Sequence, residues 1–405
     1  MSDVTDPGAQ RLPLEGIRVL EAGVLLAGPY CGQLLGDLGA EVIKIEQPGT
    51  GDPIRQWGHE RPEGKSLWWP IVARNKKSVE LDLRTPAGQE AFLKLAAMSD
   101  IVLENFRAGV LEGWNLGYEQ LRAVNPGVIF VRVTGYGQTG PYAKKAGYAA
   151  IGEAMGGLRH VVGYPDRPPS RVGISIGDSV VATFAALGAL AALHERSVSG
   201  EGQVVDCAIY EAVLAYMEAM LPEYAVAGHI RERTGTSLAN VAPSNLYPTA
   251  DGSGILIAGN QDTVFRRLAQ AMGAPELVED ERYATHVARG LHQAELDELV
   301  GQWTIQHTAQ ELQELLDEHG VPAGAIYRAP EILADPHVKA RQAVAFVEAE
   351  GLGKIPMQNV VPKLSRTPGR IRWTGPALGA HNREVLIGLL GLTETEMAAA
   401  RGEAG

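Results

Sequence analysis

The sequence predicts an α/β protein, with a mainly parallel, Rossmann-like sheet in a large domain and a smaller α/β domain inserted along the chain. Three observations predict this. Apolar strand-like runs alternate with helical stretches over the N-terminal half, the pattern of a parallel sheet covered by helices on both faces. Pro222, Gly228 and the polar run Arg231 to Ser237 then break that pattern and mark a domain boundary. Beyond the break a further strand and three helical patterns follow.

The first unit opens on Ile17-Arg18-Val19-Leu20, passes through small residues to Gly28-Pro29, continues as a helical stretch Gln33 to Leu38, and returns as Glu41 to Glu46. That is strand, loop, helix, strand. Further strand-like runs fall at Ser78 to Leu83, Asp100 to Glu104 and Val128 to Thr134, with the helical pattern Pro86 to Met98 and the stretch Tyr118 to Val124 between them. A long apolar helix follows Asp178 and ends at His194-Glu195-Arg196, and Val204 to Met220 reads as a second long apolar segment. The longest apolar stretch, Val180 to Leu193, falls short of the roughly 20 residues a bilayer span requires and is expected to be a buried helix. In the second unit Ile255 to Ala258 reads as a strand, Thr263 to Met272 as a helix, and Leu291 to Trp303 and Ala309 to His319 as amphipathic helices. Pro322, Pro330 and Pro336 punctuate a return segment.

Composition narrows the class. With 405 residues, 45% hydrophobic and 21% charged, the chain resembles an ordinary soluble enzyme and lacks the polar, weakly hydrophobic signature of disorder. A formal charge of −12 disfavours nucleic acid and anionic membrane as partners, because clustered cations drive both interactions. An anionic small ligand needs only a few local Lys or Arg. Cys31 and Cys207 form no disulfide framework or zinc pattern, and a reducing cytoplasm is the expected location. Met1 to Arg11 reads as a short disordered tail without the basic and apolar regions of a secretory signal.

Several motifs invite chemistry. Gly23, Gly28, Gly32, Gly36 and Gly39 follow the first strand, and Glu46 ends the next one about where a ribose-binding acid would sit in a dinucleotide fold. The spacing never gives GxGxxG, so tight turns and close helix packing are the favoured reading over an NAD-dependent oxidoreductase. Arg55, Lys76, Lys77, Arg84, Arg107, Lys144 and Lys145 lie near strand ends or in loops, where open α/β sheets bind ligands, and suit a phosphate-rich molecule. Asp178, in Gly177-Asp178-Ser179 before the long helix, reads either as a helix N-cap or as a nucleophilic carboxylate exposed beside a glycine. The ten histidines are scattered without metal spacing, so no metal is expected.

These residues together resemble the class III CoA-transferases, the family that includes formyl-CoA transferase, carnitine CoA-transferase and, as divergent members, the α-methylacyl-CoA racemases. The resemblance runs from Leu14 to about Leu392. Its most specific pieces are Ala27-Gly28-Pro29, Leu38 to Glu46, Gly51-Asp52, Asn75-Lys76-Lys77-Ser78, Val102 to Phe106, Gly135-Tyr136-Gly137 and Gly200-Glu201-Gly202-Gln203. It implies that Asp178 is the catalytic nucleophile, that a CoA thioester is substrate with no permanently bound cofactor, and that two chains interlock as a homodimer. It implies CoA contacts at Leu81, Asp82, Leu83, Arg84, Asn105, Phe106, Arg107 and Lys145. Leu26, Ala27, Tyr148 and Arg171 complete the expected substrate-contacting set, Arg171 because it lies seven residues before Asp178 and would pair with a distal carboxylate.

The expected layout is a large domain over residues 12–200, a helical linker at 201–230, a small α/β domain at 231–325 and a return over 326–405 that completes the large domain. Leu26 stands where formyl-CoA transferase has a glutamine, Gln47 where it has an arginine, and Asn240 to Tyr247 lacks its glycine-rich loop, which counts against formate and oxalate. The segments Asn240 to Asn245 and Gly259 to Asp262 look more like the branch that uses succinyl-CoA and small dicarboxylates of four to six carbons. The racemases carry a His-Asp pair where this chain has Tyr148-Ala149, so α-proton exchange would lack a base.

Overall fold

The structure, a computed structural model, describes residues 11–403. The tail expected over Met1 to Arg11 lies, Arg11 apart, outside the described residues. Two compact units emerge. The first draws on the chain up to Leu158, on Val172–Leu221 and on the chain from Lys339 onward; the second joins Arg159–Arg171 to Pro222–Val338.

The first unit is built on six parallel strands: β1 (Arg18–Glu21), β2 (Glu41–Glu46), β3 (Lys76–Glu80), β4 (Ile101–Glu104), β5 (Ile129–Thr134) and β6 (Val204–Ala208). Their order across the sheet is β3-β2-β1-β4-β5-β6, the doubly wound arrangement, with the change of direction between β1 and β4. Helices α1 (Ala27–Asp37), α2 (Pro86–Ala96), α3 (Tyr118–Val124), α4 (Ala149–Met155), α5 (Ile176–Ser199) and α6 (Ile209–Leu214) connect or cover them. Alternation along the strands divides the core in two. Leu20, Ile43, Val102 and Phe130 face a layer with Phe92 and Leu95 of α2 and Leu121 of α3. Val19, Val42, Ile101, Leu103, Ile129 and Val131 face the opposite layer, with Leu35 of α1 and Val181, Ala182, Ala185 and Ala189 of α5. Over β1 to β5 both sheet faces are buried, apart from a few strand-end positions, which is why those strands read as nearly continuous apolar runs.

Three expectations are corrected here. Helix α1 starts at Ala27, six residues before the helical stretch read from Gln33, because its glycines serve packing where the bare pattern suggests a loop. The stretch expected as a helical linker from residue 201 opens instead on a strand: within the apolar segment Val204 to Met220, Val204–Ala208 pairs with β5 as the sixth strand and Ile209–Leu214 forms α6. Helix α5 spans 24 residues, longer than its apolar stretch and, by length and composition, long enough to cross a bilayer. Its small residues Ala182, Ala185 and Ala189 are nevertheless fully buried against the sheet layer, so one face is a core face, while Leu187 on the other is exposed.

The second unit has an antiparallel sheet, β7 (Ser244–Pro248), β8 (Gly254–Ala258) and β9 (Ala323–Ala325), with α7 (Asp262–Ala271), α8 (Gln293–Thr304) and α9 (Ala309–Glu318). Its own core gathers Tyr247, Ile255, Ile257, Phe265, Leu268, Leu296, Val300, Leu312 and Leu316. A capping box between Thr308 and Glu311 sets the start of α9. The Arg159–Arg171 stretch belongs here through Gly235 N–H donating to the Gly163 carbonyl (3.0 Å) and Arg233 Nη1 donating to the His160 carbonyl (2.9 Å). The chain then returns to the first unit with the hairpin β10 (Val344–Ala349) and β11 (Gly353–Gln358) and the terminal helix α10 (Glu394–Ala400), whose Met397 and Ala400 close the α2 side of the core.

Candidate active site

The crevice where an open parallel sheet reverses its winding is its ligand edge, and here it is formed by the segments after β1 and β4. These segments are tied to each other. The Asn105 side chain receives Val24 N–H at 2.7 Å and donates to the Val24 carbonyl at 2.9 Å, acting as a short additional strand for the β1 loop. The next residue, Leu25, has a left-handed backbone, φ 65°, unusual for a branched side chain. Its N–H donates to both oxygens of Asp52, at 3.0 and 3.2 Å.

Asp52 is itself held by a buried charge cluster. Lys44 Nζ lies 2.8 Å from Asp52 and 3.0 Å from Glu21 and donates to the Gly23 carbonyl at 2.8 Å. Lys76 Nζ contacts Glu21 at 2.8 Å and donates to the Pro29 carbonyl at 2.5 Å. All four side chains are within 1% of complete burial. The cluster excludes any side chain at position 32, since a Cβ there would stand 1.8 Å from Glu21 Oε2. The two ammoniums are not equivalent. Burial lowers both, but Lys44 faces two carboxylates and is pushed up overall, whereas Lys76 shares one carboxylate with another cation and is pushed down to about 8.

The basic residues sort differently from their sequence positions. Arg55 forks onto Glu46 at 2.8 Å through Nε and Nη2 and stacks over Trp69; Lys76 is buried; Lys77 bridges Glu41 and Glu384. None of the three is available to a phosphate. Glu46 is equally engaged, by Arg55, the Ser78 hydroxyl and Asp52 N–H, so the ribose-acid reading loses its residue. Arg84, Arg107, Lys144 and Lys145 remain exposed. Arg84 folds back on Asp82, Nε and Nη2 each 2.8 Å from a carboxylate oxygen, and Lys145 Nζ sits 3.6 Å above the Tyr142 ring.

Several expected CoA contacts come together. Leu81, Leu83, Arg84 and Phe106 line a cavity of about 100 Å³ with Ala22, Val24, Ile45, Glu46, Gln47 and Trp114. Phe106 meets Trp114 edge to face, and its N–H donates to Glu104 at 2.7 Å. Burial raises the Glu104 carboxyl to about 7 despite the adjacent Arg132.

Asp178 lies in the first turn of α5 and is partly exposed. It is not the N-cap: the helix begins at Ile176 with Ser175 at the cap, which corrects the capping reading. Buried Leu26 and the flanking residues Ser175 and Ser179 line one larger cavity of about 520 Å³, with Tyr30, Gln33, Trp68, Ile71, Arg74 and Asn359 among its walls. Ala27 is buried at the start of α1, and Tyr148 is 74% exposed just before α4. Arg171 is exposed and closes the Arg159–Arg171 stretch of the second unit, so its short chain distance from Asp178 does not assign it to the first unit's site. Sequence reasoning did not single out Glu21, Lys44 or Glu153 and read Asp52 only as part of a motif. A lysine between Ile43 and Ile45 in an otherwise apolar strand was the signal for a buried pair.

A doubly wound sheet whose ligand edge holds an apolar-lined cavity bordered by exposed Arg84, with a carboxylate in the first turn of a nearby helix, is an arrangement suited to a large anionic ligand. The chain belongs to CoA-transferase family III, whose family model matches residues 14–382, and is therefore an enzyme acting on CoA thioesters. It is 64% identical over 386 residues to a succinyl-CoA–D-citramalate CoA-transferase of Chloroflexus aurantiacus, covering 95% of this chain and 96% of that one. A succinate–glutarate CoA-transferase of Agrobacterium fabrum is 38% identical, with 95% and 98% covered. Among solved structures, a CAIB/BAIF family protein from Brucella suis superposes with a TM-score of 0.83 at 34% identity, covering 94% of this chain and all of that one.

Two tests address the charge cluster. Asp52→Ala leaves buried Lys44 with one carboxylate and frees the Leu25 amide; a loss of about 3–5 kcal/mol is expected from urea unfolding, the usual cost of orphaning one member of a buried pair. Lys76, with a folded value of about 8 against 10.5 for the ordinary side chain, binds fewer protons folded than unfolded between those pH values. On this group alone stability therefore rises with pH across that window. The urea midpoint of the wild type should gain on that of Lys76→Met between pH 8 and 10.5; parallel curves would show that Lys76 does not titrate there.

Proposed function

We propose that the protein transfers CoA from succinyl-CoA to a dicarboxylic acid of about four to six carbons, with Asp178 as the covalent nucleophile. The observation that carries this reading is the 64% identity, over nearly the whole chain, to an enzyme named for succinyl-CoA and D-citramalate. The malate and glutarate enzymes among the relatives support the same acceptor class.

An Asp178 carboxylate oxygen attacks the thioester carbonyl and expels the CoA thiolate, forming a mixed anhydride. The thiolate attacks the aspartyl carbonyl, releasing succinate and leaving an aspartyl-CoA thioester. The acceptor carboxylate then displaces the thiolate to give a second anhydride, and the thiolate attacks the acceptor carbonyl of that anhydride. Acceptor-CoA leaves and the Asp178 carboxylate is regenerated. Each step exchanges one activated acyl bond for another, so the thioester's energy is kept from water. Exchange between similar acids is nearly isoenergetic, so selectivity rests on binding the distal end of the acid. A site built to pair a second carboxylate rejects monoacids by leaving its own polar group unpaired.

Asn105 holds the β1 loop while Leu81, Leu83 and Phe106 offer apolar surface for the CoA moiety, and Arg84, Arg107 and Lys145 supply exposed cations for its phosphates. Arg84 can do so by exchanging Asp82 for phosphate. The reading includes a cytoplasmic homodimer. Exposed Leu187 and Val198 on α5 support a second copy, since exposed apolar positions on a long helix favour burial by a partner.

The test is a rate panel with succinyl-CoA: citramalate, malate, itaconate and glutarate should be faster acceptors than acetate, formate, oxalate or carnitine. Faster transfer to a monoacid, to oxalate or to carnitine would overturn the acceptor class. Asp178→Ala should abolish transfer, and hydroxylamine should modify the Asp178 peptide only in wild-type protein exposed to acyl-CoA; an active Asp178→Ala enzyme would overturn the mechanism. Substituting Arg84, Arg107 or Lys145 by Ala should raise donor KM by about two- to fivefold each with little change in kcat, the scale of solvent-exposed charge contacts.

A further inference from the structure

Glu153 is a carboxylate that neither the family match nor the CoA pocket uses. It lies on α4, is 1% exposed, and sits where the glycines of that helix allow close packing on α6. A Cβ on Gly152 would stand 2.5 Å from Ile209 Cγ2 and one on Gly156 2.7 Å from Val213 Cγ1, so the register of α4 on α6 is fixed by steric fit. That register brings Glu153 to the beginning of α5, where Glu153 Oε1 accepts from Gly177 N–H at 3.3 Å. A Cβ on Gly177 would lie 3.1 Å from Glu153 Cγ and 3.3 Å from Ala149 Cβ, so position 177 must be small for α4 to approach.

The start of α5 needs such a partner. The first amides of a helix have no intrahelical acceptor, and the Ser175 cap makes no side-chain bond to them. A carboxylate from a neighbouring helix satisfies one of those donors and interacts favourably with the positive helix end. The donor, Gly177 N–H, lies one residue from Asp178, so whatever fixes the Gly177 amide fixes the backbone that carries the Asp178 side chain.

We infer that Glu153 is a positioning residue for Asp178: it caps α5 from outside, through Gly177, and sets the direction in which the nucleophilic carboxylate leaves the helix. This rests on the reading of Asp178 as nucleophile. The Asp178 carboxylate attacks the donor thioester once, and its own carbonyl is then attacked first by the CoA thiolate and later by the acceptor carboxylate, so a fixed first turn serves both halves of the cycle. A residue acting in this way changes the rate of acylation and leaves CoA binding alone.

The experiment measures single-turnover acylation of Asp178 from succinyl-CoA, by hydroxylamine trapping and mass spectrometry, alongside steady-state kcat and donor KM. Glu153→Ala should slow acylation by about 10- to 100-fold, the scale of an ångström-sized misplacement, with donor KM within about twofold of wild type. Glu153→Gln keeps an oxygen acceptor for Gly177 N–H and should recover most of the rate. Gly177→Ala, which pushes Glu153 away, should show the same kcat-only defect, and the double variant should be no slower than the slower single one. Glu153→Ala acylating at the wild-type rate, or Glu153→Gln as slow as Glu153→Ala, would overturn the inference. Should Glu153→Ala fail to fold, Gly177→Ala decides, and a wild-type rate there overturns it equally. Asp178→Ala is run in parallel: if it remains active the nucleophile assignment fails, whereas a dead Asp178→Ala beside a fully active Glu153→Ala removes the positioning role alone.

Discussion

The structure depends on a carboxylate placed between two ammoniums beneath the first strand–helix turn. Glu21 ends β1 with its side chain wholly buried, and Lys44 and Lys76 reach it from β2 and β3. Burying four charges is costly, and a packed apolar cluster of similar volume is often as stable. What the ions supply here is direction. Lys44 binds the Gly23 carbonyl, Lys76 the Pro29 carbonyl, and Asp52 the Leu25 amide, so three points from the β1 loop into the first turn of α1 are fixed by charge-assisted bonds from below. A left-handed Leu25 persists because its surroundings determine it.

The ligand edge follows from that floor. With the β1 loop fixed, the Asn105 amide can pair with Val24 and join the two sides of the topological switch. Leu26 is then turned inward onto Ile54, Trp69 and Val72, and becomes a wall of the same cavity as Ser175 and Ser179, on either side of Asp178. Arg55 extends the arrangement outward by pairing with Glu46, which also accepts from Asp52 N–H. The crevice is thus preorganised by electrostatics in the sheet interior, with exposed Arg84 at its edge. A reaction that only exchanges acyl partners needs such a fixed site more than a driving force.

The parallel sheet was legible because doubly covered strands are apolar on both faces, and Val19-Leu20, Val42-Ile43 and Ile101 to Leu103 display that without interference. The start of α1 was not, since Ala27-Gly28-Pro29 with Cys31-Gly32 has the composition of a turn; tertiary contact overrides propensity when Gly32 must pass over Glu21. Strand β6 was hidden by the apolar run that continues into α6, where period alone cannot separate a strand from a helix. In the site, Asp178 was legible through its Gly-Asp setting and the family resemblance, whereas Glu153 was not, because its role comes from the packing of α4 on α6 and not from any spacing.

The least legible property was which cations were already committed. Arg55, Lys76 and Lys77 follow strands or lie within them just as Arg84, Arg107 and Lys145 follow strands or sit in loops, and the sequence treats them alike. Geometry separates them by depth: the strand charges Glu21, Lys44, Lys76, Glu104 and Arg132 are buried and paired with one another, and buried Glu46 is taken by Arg55, while those at loop tips face solvent. For a chain of net charge −12 this division matters, because attraction to a polyanionic ligand cannot come from the overall field and must come from the few cations the interior has not consumed. The interior pairs fix where the loops stand, and the exposed cations Arg84, Arg107 and Lys145 are what the loops have left to offer an anion, Arg84 by exchanging its Asp82 partner.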